Sequence, residues 1–438
     1  MALSIFKSLR AKAESVALFR VAVIAFEDNC SINCGRRFAD LLKKNIQFEV
    51  LFFNEPFSKT FLNLQGRNFF DFIDRGNRIL YNTQADILVW GYEEEGNIRL
   101  NFQIKNQYTI PNRLSFSLLD SIFLPLNYFT DTSNFADSIL KLINGIILAA
   151  IIPTTEEQKT ERQRLLKKIV SDLAQSSVPN NLSREFMPYI MHMLGKISLY
   201  NAAQSINNDN IKVIQNLFKD ALNNKQSMRL PIYYGCIYNS LGQLFETAFL
   251  HNKTASSDYL KPAISAYQQA QKCLNRNYPY DFGMISYHLA LLHFELWKFT
   301  QDLQALRDAV SKLREAEKVY SLAQFPQSWS AIENLLGYYL TSLGLSTKSA
   351  TIMNLAIECY KNRQKIYDQP EHPFEWAQIQ EEIGKIYYLL GKQDEDEKLM
   401  SEAKNYYLSA QAIYQELNAK KAAVETQKML TKIADYID

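Results

Sequence analysis

The residues able to do chemistry are few and badly spaced for it. His192, His251, His288, His293 and His372 are the only histidines in 438 residues. A helical metal pair needs ligands at i and i+4, on adjacent turns of one face. His288 and His293 are five apart, and His293 occupies a repeat position filled elsewhere by Phe245 and Tyr387. Cys30 and Cys34 have no second cysteine pair, which leaves a zinc tetrahedron short of ligands. The acidic run Asp394 to Glu397 falls between two helical stretches and reads as a solvated connection. A phosphate cradle needs a glycine-rich turn so that backbone N–H groups approach the anion. The turn EDNCSINCGRR has one glycine, Gly35, and its Arg36 and Arg37 read as solvated. No G-x-G-x-x-G, G-K-[ST], G-x-S-x-G or H-E-x-x-H occurs. The expectation is a protein that is not an enzyme and has no metal and no cofactor.

The elements around these residues explain more. Gly 14 and Pro 12 make about 6% of the chain, where about 12% is usual, so an all-β or disordered chain is excluded. Apolar residues at 47% allow large cores. A net charge of +2, from 48 basic and 46 acidic residues, gives no basic excess for a nucleic-acid partner. Five cysteines without regular spacing argue against a disulfide framework and for a reducing, cytoplasmic setting. At the amino terminus, Lys7, Arg10 and Lys12 interrupt the apolar run that a secretory signal requires. Residues 1–18 are expected to form an amphipathic helix packed on the domain behind it. Peripheral membrane contact through that helix is the less favoured alternative. Ile139 to Ile152 is too short to cross a bilayer, which takes about 20 residues, and is expected as a buried core helix.

Residues 19–153 alternate strand and helix patterns in the order β-α-β-α-β-β. FRVAVIAFED and FEVLFFNEP read as strands, GRRFADLLKK and RNFFDFIDRGNRIL as helices, and 85–104 as a hairpin turning at Glu-Gly-Asn. The runs Val21 to Phe26, Phe38 to Leu42, Ala85 to Gly91 and Ile98 to Phe102 resemble the amino-terminal α/β domain of TolB and of related repeat-containing bacterial proteins. That resemblance implies a binding or structural module. The pattern Thr155-Glu156-Glu157-Gln158 opens a helix with a capping box, and Ser176 to Asn181 is a linker, so 154–182 is a connecting segment.

From residue 183 the chain repeats. The pair Leu-Gly occurs at Leu194-Gly195, Leu241-Gly242 and Leu336-Gly337, with Leu289-Ala290 and Ile383-Gly384 in register. The second residues are spaced 47, 48, 47 and 47. Pro231, Pro279, Pro326 and Pro373 keep the same beat, as do Trp329 with Trp376 and Ala309, Ala356 with Ala403. Each unit reads as two helices. Ile383-Gly384-x-x-Tyr387 followed by Ala403-x-x-x-Tyr407-x-x-Ala410 resembles the tetratricopeptide (TPR) signature. The 47-residue period and Pro373-Phe374-Glu375-Trp376-Ala377 are similar to the long tetratricopeptide arrays common in alphaproteobacteria. Ala290 and Arg363 depart from the pattern, and the first unit has a displaced Pro188 and a weak second helix. Five repeats are expected over 183–418 and a capping helix over 419–438.

The fold class is therefore α+β overall, mainly α: a small α/β sandwich-like domain followed by a TPR-like α-helical solenoid. Because a repeat contacts only its neighbours, residues 183–438 are expected to fold without residues 1–175. The tetratricopeptide resemblance implies a partner groove lined by the first helix of each unit, three before and one after the Leu-Gly glycine: Asn239, Gln243, Tyr287, Leu291, Asn334, Tyr338, Glu381 and Lys385. The expected function is a protein–protein interaction scaffold or adaptor with a protein or peptide partner. The alternative is a regulator whose α/β domain senses a small ligand.

Overall fold

The computed structural model describes residues 17–27, 33–45, 47–54, 67–105, 107, 109–110, 114, 116–130, 137–175, 184–223, 231–251 and 258–437. The expected helix over 1–18, up to residue 16, and the linker Ser176 to Asn181 lie outside them. Among the described residues the chain is mainly helical with one small sheet, α+β as expected. It divides into two compact units: Met1–Tyr108 with Asn112–Asp281, and Thr109–Pro111 with Phe282–Asp438.

Unit one opens on strand β1 (Phe19–Ile24), helix α1 (Cys34–Leu42), β2 (Phe48–Phe53) and α2 (Arg67–Thr83). The hairpin β3 (Ile87–Glu94) and β4 (Asn97–Ile104) follows, then β5 (Ser121–Pro125). The sheet order is β2-β1-β3-β4-β5. Strand β1 runs parallel to both β2 and β3, with Val21 opposite Val50 and Ile87. A central parallel strand is covered on both faces, and β1 is buried at every position except Arg20. β4 and β5 are antiparallel additions. The hairpin turn is Glu95-Gly96, with φ of 52° and 75°. Both residues take positive φ, the two-residue turn whose twist matches the strands. Strand β5 carries little local signal: SIFLP is short, and three of its five residues are Ser121, Phe123 and Pro125.

Helix α3 (Asp137–Ala150) backs the sheet, and α4 (Glu156–Gln175) packs on α3. α3 is the expected core helix, with Leu142, Ile143, Ile146 and Ile147 in the main cluster beside Val21, Val89 and Phe102. The capping box forms at α4: Thr155 Oγ1 accepts from Gln158 N at 3.1 Å. The Gln158 side chain reaches Thr154 N at 2.9 Å and donates to Leu18 O at 2.8 Å, tying the helix to the start of β1. Arg162 of α4 caps α3 by donating to Leu148 O and Ala149 O, the carbonyls that a helix leaves open at its end.

Helix pairs then follow, α5 (Met187–Ala202) with α6 (Asn208–Asn223) and α7 (Pro231–His251) with α8 (Leu260–Cys273) in unit one. α6 is a full amphipathic helix burying Ile211, Ile214, Phe218 and Ala221, stronger than its sequence suggested. The next pairs are α9 (Pro279–Thr300) with α10 (Leu303–Glu317), α11 (Pro326–Thr347) with α12 (Ala350–Arg363), and α13 (Pro373–Asp394) with α14 (Glu397–Glu416). α15 (Lys420–Ile437) closes unit two. The four periodic prolines are each the first residue of a helix, where the missing N–H costs no hydrogen bond. Within three pairs the two helices join through one left-handed residue, Gln301, Lys348 or Glu395, with φ of 56°, 52° and 52°. Asp302, Ser349 and Asp396 cap the second helices, each accepting from a first-turn N–H. In α15, Leu430 and Ile433 pack on Ala403 and Tyr407.

The contacts divide the chain at 281/282, inside α9, and not at 182/183 where the sequence suggested a boundary. The α/β elements and the first two helix pairs share one unit. Whether residues 183–438 are self-sufficient turns on what α5 holds, described next.

Candidate functional site

α5 presents Tyr189, His192, Lys196 and Tyr200 at intervals of three or four residues, which places them on one face. That face is occupied by the chain itself. Lys196 Nζ donates to Asp120 Oδ2, and both side chains are fully buried. Asp120 Oδ2 also accepts from Ser117 N at 2.8 Å. The Lys196 ammonium lies 4.3 Å from the centroid of Phe116, and Phe116 packs on Tyr200 at 5.2 Å. His192 Nε2 is 3.9 Å from Asp120 Oδ1 and 2.9 Å from Ser240 Oγ on α7. Burial holds the His192 ring down to about 4, against the carboxylate beside it, so the imidazole is neutral near pH 7.

A second buried cation lies on β4. Arg99 donates to Glu94 Oε2 at 2.9 Å and to Ser121 Oγ at 3.0 Å. Its guanidinium stacks on Phe123 at 4.7 Å and Tyr233 at 4.6 Å, with Tyr189 at 5.6 Å. Arginine suits this place because a planar, weakly hydrated cation stacks on rings while its N–H groups stay bonded.

His192 and Lys196 stand three before and one after Gly195. They obey the rule that selected the groove residues, but the first unit was passed over because its pattern is decayed. Applying the rule to Gly195 finds them.

The eight expected groove residues are not equally open. Asn239 at 6% and Gln243 at 1% exposure are buried. Their neighbour Ser240 already meets His192, so this face of α7 is packed against α5. Tyr287 is also buried, its ring edge-on to His288 at 5.8 Å. These three are corrected from groove to interior, and Leu291 is half-buried. In unit two, Asn334 is half-buried and accepts from Arg363 Nη1 at 2.8 Å. Arg363 also donates to Ser330 Oγ at 3.3 Å, which gives the departure from alanine at this position a use. Glu381 accepts from Tyr414 Oη at 3.0 Å. Tyr338 is 45% exposed, its ring 5.3 Å from Phe294. Lys385 is exposed, with Glu382 at 3.6 Å.

The α/β part offers two further places. In doubly wound parallel sheets ligands bind outside the carboxyl ends of the strands, at the point where the strand order reverses; this sheet has the order 2-1-3-4-5 with β4 and β5 antiparallel. Here Phe26, Phe38 and Phe129 fill that place, with ring centroids 5.6 to 6.0 Å apart. Glu27 pairs with Tyr92 across it, and Gly91 lies against the Phe26 ring. The exposed Arg36 guanidinium lies 4.7 Å from the centroid of Phe52. On the opposite side of β1 and β2 a trough of about 770 Å³ has Ile24, Phe53 and Ile79 inside and Asp71, Arg75 and Arg78 around it.

The remaining candidates resolve into structure. Asp396 caps α14 through Lys398 N and Leu399 N, so the acidic run serves a helix start. His293 Nδ1 lies 4.0 Å from Asp308, and burial lowers its pKa. Cys34 is buried in α1, while Cys30 lies outside the described residues. Among the described residues no group of three or more His, Cys, Asp or Glu could hold a metal ion. No described helix is long and apolar enough to cross a membrane.

No family model and no curated protein matches the chain. Among solved structures, BtubC (BKLC) from P. vanneervenii aligns with 63% of this chain and 92% of its own at 17% identity, with a TM-score of 0.36. At that score the likeness supports no statement about fold or partner.

Proposed function

We propose that the chain is a non-enzymatic scaffold or adaptor of the tetratricopeptide type, cytoplasmic, binding a protein or peptide on the first-helix faces of its repeats. One observation carries the reading: the face of α5 that the repeat register marks as the groove already grips a segment of polypeptide, Phe116 to Asp120, through Lys196 and Tyr200. The same register leaves Asn334, Tyr338, Glu381 and Lys385 partly or fully open in unit two. Exposed tyrosine is a residue type enriched at interaction hot spots. The test is affinity capture from the native cell with the full chain and with Asn334→Ala/Tyr338→Ala. Proteins retained by the first and lost from the second, with melting temperature unchanged, support the reading. Identical captures count against it.

The second reading, a ligand-sensing α/β domain, is favoured only by the trough beside Arg75 and Arg78. A thermal-shift screen of small anions, repeated on Arg75→Gln, tests it.

A further inference from the structure

In unit one the position after the Leu-Gly glycine already has a ligand. Lys196 takes the Asp120 carboxylate and lies over the Phe116 ring. The bound segment is a turn. Asp120 N donates to Ser117 O at 3.1 Å, and Leu119 N donates to Ser117 Oγ at 3.0 Å. The turn brings an aromatic ring and a carboxylate four residues later onto one ammonium.

Lys385 holds the same place after Gly384 in unit two. Its side chain is 46% exposed, and its ion pair with Glu382 is solvent-exposed at 3.6 Å. Such pairs contribute little and yield to a better-placed carboxylate. One repeat earlier, in the same register, Tyr338 is 45% exposed. Leu345, seven residues further along the same face of α11, is 41% exposed. The face thus offers an ammonium, with Glu381 and Glu382 beside it, and one repeat earlier an apolar strip.

Resting on the groove reading above, we propose that unit two binds a partner turn of the kind unit one holds internally: an aromatic residue followed four residues later by a carboxylate, the carboxylate on Lys385 and the ring against Tyr338. The chain's own segment is the natural probe, because its copy within unit one is buried and its Lys196 is engaged.

The experiment is fluorescence anisotropy of a labelled, end-blocked peptide spanning residues 114–122, titrated with the full chain. Saturable binding is expected, at least tenfold weaker for Lys385→Glu, for Tyr338→Ala and for the peptide with Asp120→Asn. Lys385→Arg should retain it. Circular dichroism melts of each variant separate lost binding from lost fold. No saturable binding, or binding indifferent to Lys385→Glu, overturns the proposal. If the peptide does not bind while captured partners are still lost with Asn334→Ala/Tyr338→Ala, this chemistry falls and the scaffold reading stands.

Discussion

Gly337 of α11 lies flat against the ring of Tyr360 in α12, and a Cβ on it would come within 2.6 Å of Tyr360 Cε2. Gly242 meets Tyr267 in the same way at 2.6 Å, and Gly195 meets Phe218. Where the chain has Ala290, the residue in the Tyr360 register is Leu313, buried like the tyrosine. A glycine–aromatic pair is thus replaced by an alanine–aliphatic one. Gly337→Ala should lower stability by about 1–3 kcal/mol through overpacking. Gly337→Ala/Tyr360→Leu should recover part of the loss. Gly384→Ala should cost less, since its nearest neighbours, on Tyr406 and Tyr407, stand 3.1 Å away; Gly384→Leu should still be strongly destabilising. Urea midpoints at one pH decide it, and an unchanged midpoint for Gly337→Ala would mean that the helices can separate freely.

The buried pair Lys196 and Asp120 makes an asymmetric prediction. Removing one partner strands the other charge in the interior, at about 3–5 kcal/mol. Lys196→Met alone and Asp120→Leu alone should each be severe. The double substitution should be milder than either, because no unpaired charge remains. A double mutant as unstable as the sum of the singles would show that the pair does not interact.

A fragment of residues 184–438 retains Lys196, Tyr189 and Tyr233 but lacks Asp120 and Arg99. It should aggregate or unfold without cooperativity, and Lys196→Met within it should restore part of its solubility. A fragment of residues 279–438, which contains the whole of unit two except Thr109–Pro111, should give a single cooperative melt. The opposite ranking would place the true boundary at the earlier linker.

Glu333 predicts a pH dependence. Its side chain is fully buried in α11, and burial, with the Glu317 carboxylate alongside, raises its pKa from the ordinary 4.5 to about 7. Asn362 Nδ2 lies 3.4 Å from its Oε2, and Glu317 pairs with Arg314 at 2.8 Å. An acid with a raised folded-state pKa contributes fully below its unfolded value, near 4.5. That contribution is lost as pH rises toward 7. His192, whose pKa is lowered, acts in the reverse sense: its contribution is lost as pH falls from 6.5 toward 4. The difference between wild type and Glu333→Gln isolates the first effect. The two midpoints should diverge between about pH 4.5 and pH 7, with wild type losing ground to the variant, and run parallel above that. Parallel curves would show that Glu333 does not titrate in that range.

Much of the architecture was legible in the residues because its causes are local. Proline at the first position of a helix, a small residue where two helices touch, and Glu-Gly in a two-residue turn act within a few residues of themselves. The 47-residue beat, the hairpin, the core helix at 137–150 and the closing helix at 420–437 follow from such signals. Two of the eight groove residues, Tyr338 and Lys385, are exposed, because a residue that varies between repeats is released from the common packing. The variation of Asn239, Gln243 and Tyr287 has a different cause. They are buried, and burial among unlike neighbours also makes residues vary.

What only the tertiary structure decided is pairing at long range. Asp120 and Lys196 are 76 residues apart; the repeat register marks the position of Lys196, but no motif marks Asp120. Arg99 belongs to a strand and its stacking partners Tyr189 and Tyr233 to two helices, with no spacing to connect them. These contacts unite the α/β elements with the first two helix pairs, so the division falls within α9 and not at the polar stretch Ser176 to Asn181. A polar, Pro- and Asn-containing stretch reports low local propensity for helix or strand. Whether the segments on either side share a core depends on which buried charges find partners across it, and a buried charge leaves no periodicity in the chain.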